Sequence, residues 1–209
     1  MSNPQPCSEL KMFFVVALSA VSLCGCGAAR PVKYYQLSVP PGVASQPASA
    51  ASGISLAIGP LVSSHLYRED RIVFSAGPEQ MGTYEYQRWT EPPAEMIEEV
   101  LLRELRASGQ YREVYTQRSS SRTDFVLRGH LYDFKELTGS SLSARVTMEF
   151  ELRDTKSGST VWSHFYSHDE PVSGKEVAAM VAALDGNVQR AVKEVAASLQ
   201  QYFASIPAK

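Results

Sequence analysis

Three cysteines and four histidines are the residues best suited to nucleophilic or metal chemistry in this chain of 209 residues. Cys7, Cys24 and Cys26 all fall at the N-terminal end, and no cysteine follows. The folded portion therefore has neither a disulfide nor thiol chemistry. Cys24 and Cys26 stand one residue apart, but a metal site there needs two further ligands nearby, and no histidine lies in that segment. His65, His130, His164 and His168 are scattered. His164 and His168 lie in a run that reads as a strand, where they share a face about 13 Å apart, too far for one ion. The Gly77 to Thr83 run has the glycine spacing of a phosphate-binding loop but lacks its lysine and holds a proline, so it reads as a hairpin turn. Glu149 and Glu151 alternate with basic residues, as on the wet face of a strand. There is no Gly-x-Ser-x-Gly elbow. No catalytic residue, no metal ligand and no cofactor is expected, and the chain does not read as an enzyme.

One cysteine does have a chemistry written around it. Met12 to Leu23 is apolar or small throughout, too short for a spanning helix of about 20 residues and suited to the h-region of a signal peptide. Lys11 precedes it, although Glu9 offsets that charge. A buried core helix is the alternative, and it fits less well because no domain-like pattern follows directly. Leu23 at −3 and Gly25 at −1 then frame Cys26 as the residue to be lipidated. Framing Cys24 instead puts the bulky Leu23 at −1, where a small residue is required. The expectation is a signal peptide over 1–25, removed together with Cys7 and Cys24. Cys26 becomes the first residue, carrying a covalent diacylglycerol and an N-acyl chain. Three acyl chains such as palmitate hold firmly where a single one is marginal. Gly27 rather than Asp follows Cys26, which favours the outer membrane, on its periplasmic face, over the inner membrane.

A second candidate is a contact site. Tyr86, Arg88 and Trp89 crowd into "EYQRWTEPPAEM" at a strand-to-helix junction. These residue types are enriched in binding hot spots. They equally suit a core plug, with Trp89 inside and Arg88 paired to a carboxylate.

The elements that must position these residues can be read from periodicity. The net charge of −2 and the mixed composition show no bias toward nucleic acid. "VKYYQLSV" reads as a short strand and Pro40 to Gly53 as a flexible linker, so 26–53 is a lipidated lead-in and 54–206 the domain. "ISLAIGPL" is a strand, and "RIVFSAG" with "MGTYEYQRW" a hairpin. A helix opens on Pro92 and Pro93 and ends at Gly109. "YREVYTQ" is a strand. Ala144, Val146, Met148, Phe150 and Leu152 alternate strictly with polar residues, the mark of a half-buried antiparallel strand. The runs "DFVLRGHLYDF" and "STVWSHFYSH" on either side make it a meander. A long C-terminal helix carries Val181, Leu184, Val188, Val192, Val195 and Leu199 on one stripe, with Ser173 and Glu176 spaced as a capping box. The fold class is α+β: one domain, a mixed and largely antiparallel sheet, two helices on one face.

"KYYQL", "LAIGPL", "LYREDRIVFSAG" and "YEYQRWTEPPAEMIEEVLLRELRASGQYREVY", after the lipidation motif, resemble the auxiliary lipoproteins of ABC-type transport systems, the PqiC-like family associated with Mce-domain systems. The resemblance runs from about Tyr34 to the end of the last helix. "LVSSHLYRED" departs from it in lacking a proline that many relatives carry, which affects a loop. The resemblance implies a non-enzymatic component of an intermembrane lipid transport machine that serves envelope integrity. Its partners would be an Mce-domain protein and an ABC permease/ATPase complex, its membrane contact the lipid anchor, with self-association as a homo-oligomer a further expectation. The competing reading is an outer-membrane assembly or envelope-maintenance lipoprotein of another pathway, also a binding module.

Overall fold

In the computed structural model, residues 30–39, 52–77, 79–117, 123–139 and 141–206 are described. The chain divides into two units, Met1–Pro31 and Val32–Lys209, and the second is the folded body treated below. The expected signal peptide, Cys26 and residues 40–51 of the expected linker lie outside the described residues, while the linker's last two residues, Ser52 and Gly53, belong to a strand.

Alternation builds the centre of the sheet. Strand β7 (Leu142–Asp154) buries Ala144, Val146, Met148, Phe150 and Leu152 on one face, each at most 2% exposed. It pairs antiparallel with β6 (Phe125–Thr138) on one side and β8 (Thr160–Pro171) on the other, which is the meander the pattern requires. The free edge of β6 is shared by two strands. β2 (Ser52–Ser63) lies parallel to its first half, and β3 (Arg71–Gly77) parallel to Glu136 and Leu137 near its end. A 3-10 turn over His65–Tyr67 joins them, and β6 carries a bulge between Leu131 and Asp133 where one gives way to the other. β4 (Gln80–Trp89) returns antiparallel to β3, with Gly77 facing Gln80 across the turn. β1 (Lys33–Tyr35) adds parallel to β4, and β5 (Tyr111–Thr116) parallel to β2. The result is one mixed sheet of eight strands. The longest ladders are antiparallel. The joins between segments distant in the chain are parallel, which a period-two pattern does not reveal.

Both helices cover the face lined by the apolar residues of β7. α1 (Pro93–Ala107) buries Met96, Ile97, Val100, Leu101 and Leu105 over β2 and β5. α2 (Val177–Ser205) lays Leu184, Val188, Val192, Val195 and Leu199 over β7 and β8, each at most 1% exposed. At its far end Phe203 meets Tyr111 and Phe125 edge-on, with centroids 5.8 and 5.3 Å away. The helix starts later than the capping box requires. Glu176 is itself the N-cap, and no side chain bonds the free amides there. Helix formation here draws on the buried stripe rather than on the cap. α2 also runs unbroken through Gly186.

Two glycines are set by close approach. A Cβ at Gly129 would stand 2.5 Å from the Glu149 carbonyl oxygen. At Gly82 it would stand 2.5 Å from the Phe74 ring, which lies across the glycine and meets Tyr84 at 5.2 Å.

Candidate functional site

The strand-to-helix junction is an assembly point for three distant segments. The Trp89 side chain is 1% exposed and packs on Phe134 at 5.3 Å between centroids. The Trp89 amide donates to the Asp70 carbonyl at 2.6 Å, and the Thr90 amide to the Tyr35 carbonyl at 2.8 Å. Arg88 donates through Nη1 to Asp70 Oδ1 at 2.7 Å, with about a quarter of its side chain exposed. The geometry thus puts Trp89 inside the core and Arg88 on a carboxylate. Tyr86 is half-buried, and a hydrogen bond to the Glu85 carboxylate pushes its hydroxyl pKa up. Three neighbouring residues therefore do three separate jobs.

The same junction holds the segment over 33–38. β1 pairs Lys33, Tyr34 and Tyr35 with Gln87, Arg88 and Trp89. The Tyr35 hydroxyl donates to Gln87 Oε1 at 2.8 Å. Leu37 is 2% exposed. One residue on, the Ser38 amide donates to Asp185 Oδ1 at 2.9 Å and its carbonyl accepts from Gln189 Nε2 at 2.7 Å, both on α2. The first described residues are therefore fastened to the body twice, at β4 and at α2. The strand is legible in "VKYYQLSV", of which Lys33–Tyr35 pair, but no pattern in the sequence signals the second fastening.

A further polar cluster lies inside the core. Asn187 is fully buried in the apolar stripe of α2. Its Nδ2 donates to the carbonyls of Ala144 and His168 at 3.0 and 2.9 Å, and its Oδ1 accepts from the Tyr166 hydroxyl at 2.5 Å. This locks α2 to β7 and β8 at one register. The signal was available: an asparagine sits three residues after Leu184, on the buried stripe.

Elsewhere the polar side chains pair among themselves. Tyr84 donates to the buried Glu136 at 2.7 Å, and Tyr132 to Glu149 at 2.8 Å. Arg145 forms a two-armed pair with Asp169, both bonds 2.7 Å, which holds that carboxyl below its ordinary range. Asp124 is held low chiefly by the backbone and hydroxyl of Ser55, then by Arg112 and Lys156. Burial pushes the Tyr67 hydroxyl up to about 12. His164 stacks on Trp162 at 5.8 Å, whereas His168 lies 3.4 Å from Glu170. Among the described residues no His, Cys, Asp and Glu side chains group closely enough to hold a metal ion. None of the described helices is long and apolar enough to cross a membrane. An open groove of about 1100 Å³ runs between β2 and α1, with Glu91, Glu95, Glu98 and Glu99 along it. Two of these carboxylates have partners within the fold: Glu98 accepts the Leu61 amide and Glu99 the Arg103 guanidinium, each at 2.7 Å.

The fold and its doubly fastened leading strand define an α+β domain with helices on one sheet face. The class is a known one. A family model described as the ABC-type transport auxiliary lipoprotein component matches residues 35–196, and the chain belongs to that family. A solved protein from Xanthomonas campestris is similar over 83% of this chain and 97% of its own, at 19% identity and a TM-score of 0.73. An uncharacterised protein of known structure matches over 81% of this chain and 99% of its own, at 13% identity and TM-score 0.65. A hypothetical protein from Chlamydia trachomatis matches over 72% of this chain and 98% of its own, at 11% identity and TM-score 0.50. At these identities the likeness is one of fold. No curated protein matches the chain.

Proposed function

We propose that this chain is an outer-membrane lipoprotein facing the periplasm, a non-catalytic auxiliary of an Mce-type intermembrane lipid transport system. The observation that carries the reading is the motif Leu23-Cys24-Gly25-Cys26, placed shortly before a strand that is fastened to the body of a transport-auxiliary fold. Lipid on the Cys26 thiol and amine supplies the membrane contact. The chain between Cys26 and Lys33 spans at most about 25 Å, so the domain stays close to the bilayer. The ATPase, the permease and the Mce-domain protein are other chains, and the cargo is phospholipid or another hydrophobic molecule. The domain's task is to hold the outer end of that assembly at the membrane. Within the run first considered for partner contact, Trp89 has no surface to offer, while Tyr86 and the exposed part of Arg88 do.

The deciding experiment is a pull-down of the full chain from detergent-solubilised membranes. Recovery of Mce-domain and ABC partners is expected. Recovery of only β-barrel assembly or peptidoglycan proteins overturns the assignment. For the anchor, Cys26→Ser should abolish lipid labelling and leave a larger precursor, and Cys24→Ser should change neither.

A further inference from the structure

One edge of β2 is left open. Its pairing with β5 ends at Ile58, opposite Thr116, yet β2 runs on to Ser63. Among the described residues no strand lies beside 59–63 on that side. The Leu61 amide donates instead to a side chain, Glu98 Oε1 at 2.7 Å, which stands where a strand's carbonyl would. By alternation the Leu61 carbonyl and the Ser63 amide face the same way. This stretch is one wall of the groove of about 1100 Å³ between β2 and α1. Val62 on it is 54% exposed. Ser63 Oγ and the Tyr67 hydroxyl are buried without a hydrogen-bond partner, and both residues line the same groove. The Phe134 amide lies near the tyrosine oxygen without closing a bond. The opposite wall is one face of α1, where Glu95, Glu98, Glu99 and Leu102 recur at helical spacing, with Glu91 just ahead of the helix. Glu98 and Glu99 have partners in the fold, whereas Glu91 and Glu95 are exposed and unpaired among the described residues. Arg68 is the one basic residue among the described residues of the lining.

We propose that this groove binds an extended, basic segment of a partner protein, which adds to the open edge of β2 as a short strand. Four carboxylates against one guanidinium select a basic occupant over an acidic segment or a lipid phosphate. The open carbonyl and amide select an extended backbone. The side chains of an added strand alternate between the two sheet faces. Those on the helix face meet Glu91 and Glu95, so they are Lys or Arg. Those on the other face lie beside Val62, which pairs with His130 there, so they are aliphatic. In the free chain the Glu98 carboxylate blunts the edge, as charged groups do on natural sheet edges. The arriving strand takes over the Leu61 amide. The site belongs to the folded body alone, whatever assembly the chain serves.

The test uses the full chain in neutral detergent and two fluorescent peptides of about seven residues, one alternating Lys with Val and one alternating Glu with Val. The Lys/Val peptide is expected to bind at least about ten-fold more tightly by fluorescence polarisation, and to slow hydrogen exchange at Ser63. Charge reversal at both Glu91 and Glu95, which are exposed, should remove that preference. N-methylation of alternate peptide amides keeps the charge and, in one of the two registers, should abolish binding. Binding that survives N-methylation in both registers is adventitious attraction of opposite charges and overturns the proposal. Equal binding of the two peptides, no binding of either, or a preference untouched by the charge reversal overturns it as well. So does a Ser63 amide already protected without peptide. Protection independent of protein concentration gives the edge to the chain's own residues, and protection that rises with concentration gives it to a second copy.

Discussion

The meander under α2 and the junction around Trp89 bury side chains equally well but are assembled differently. In the meander, β6, β7 and β8 follow one another in sequence and pair antiparallel along nearly their whole lengths. In the junction, Tyr35, Asp70, Trp89 and Phe134 come from four strands or turns, and β1–β4 and β3–β6 pair in parallel. Local ladders need little loop closure before they are rewarded, whereas parallel joins need long closures first. The meander therefore has the character of an independent scaffold, and the junction that of a keystone set late.

Four measurements can break or sharpen this contrast. The largest effect is expected at the keystone. Trp89→Ala removes a fully buried ring against Phe134 and should cost about 3–5 kcal/mol in denaturant unfolding. A loss under about 1 kcal/mol would show the junction to be dispensable. Next comes the scaffold's own polar lock. Asn187→Ala removes the side chain's bonds to two strand carbonyls and from the Tyr166 hydroxyl, which keeps only its 3.3 Å bond to the carbonyl of residue 187, at about 2–3 kcal/mol, with hydrogen exchange rising in β7, β8 and α2 together. A change confined to α2 would mean that the lock does not couple helix to sheet. Arg88→Gln breaks a partly exposed ion pair and should cost only about 0.5–1 kcal/mol, less again in high salt. A cost as large as that of Trp89→Ala would make the charge, not the ring, the centre of the junction.

The smallest effect is one of pH. The Tyr67 and Tyr111 hydroxyls are pushed up from 10.0 to about 12 by burial, so the folded state resists their ionisation. A raised pKa stabilises fully below the unfolded value of 10 and is lost as pH rises toward 12. Stability should therefore be flat up to about pH 10 and decline above it, and Tyr67→Phe should shallow that decline. An unchanged alkaline limb in Tyr67→Phe would show that Tyr67 ionises without unfolding.

What was legible in the sequence follows the same divide. Ala144 to Leu152 announced β7 because one face is wet and the other dry, and the α2 stripe appeared because nearly every third or fourth residue is apolar. The core role of Trp89 was only one of two readings, since a ring that plugs a core and a ring that meets a partner share a residue type. The register of β1 on β4 and the hold of Asp185 and Gln189 on Ser38 leave no local period at all. β2 runs through Gly59 and Pro60 as "ISLAIGPL" suggested and extends two residues beyond it to Ser63, with an irregularity against β6 between Ile58 and Leu61 that no local pattern reveals. The capping box failed for the opposite reason: a good local signal was outweighed by where the buried stripe begins. Of the candidate site residues, the spacing around Cys26 was the clearest motif, and it lies beyond the described body.

The double fastening of the first strand has a mechanical consequence. Any pull arriving along the chain from its N-terminal side enters the domain at Lys33. From there the load divides, part passing sideways through the β1–β4 ladder into the sheet and part through Ser38 into the middle of α2. Tension is thereby shared between two layers before it reaches either alone. A domain fastened in this way resists being unravelled from that end.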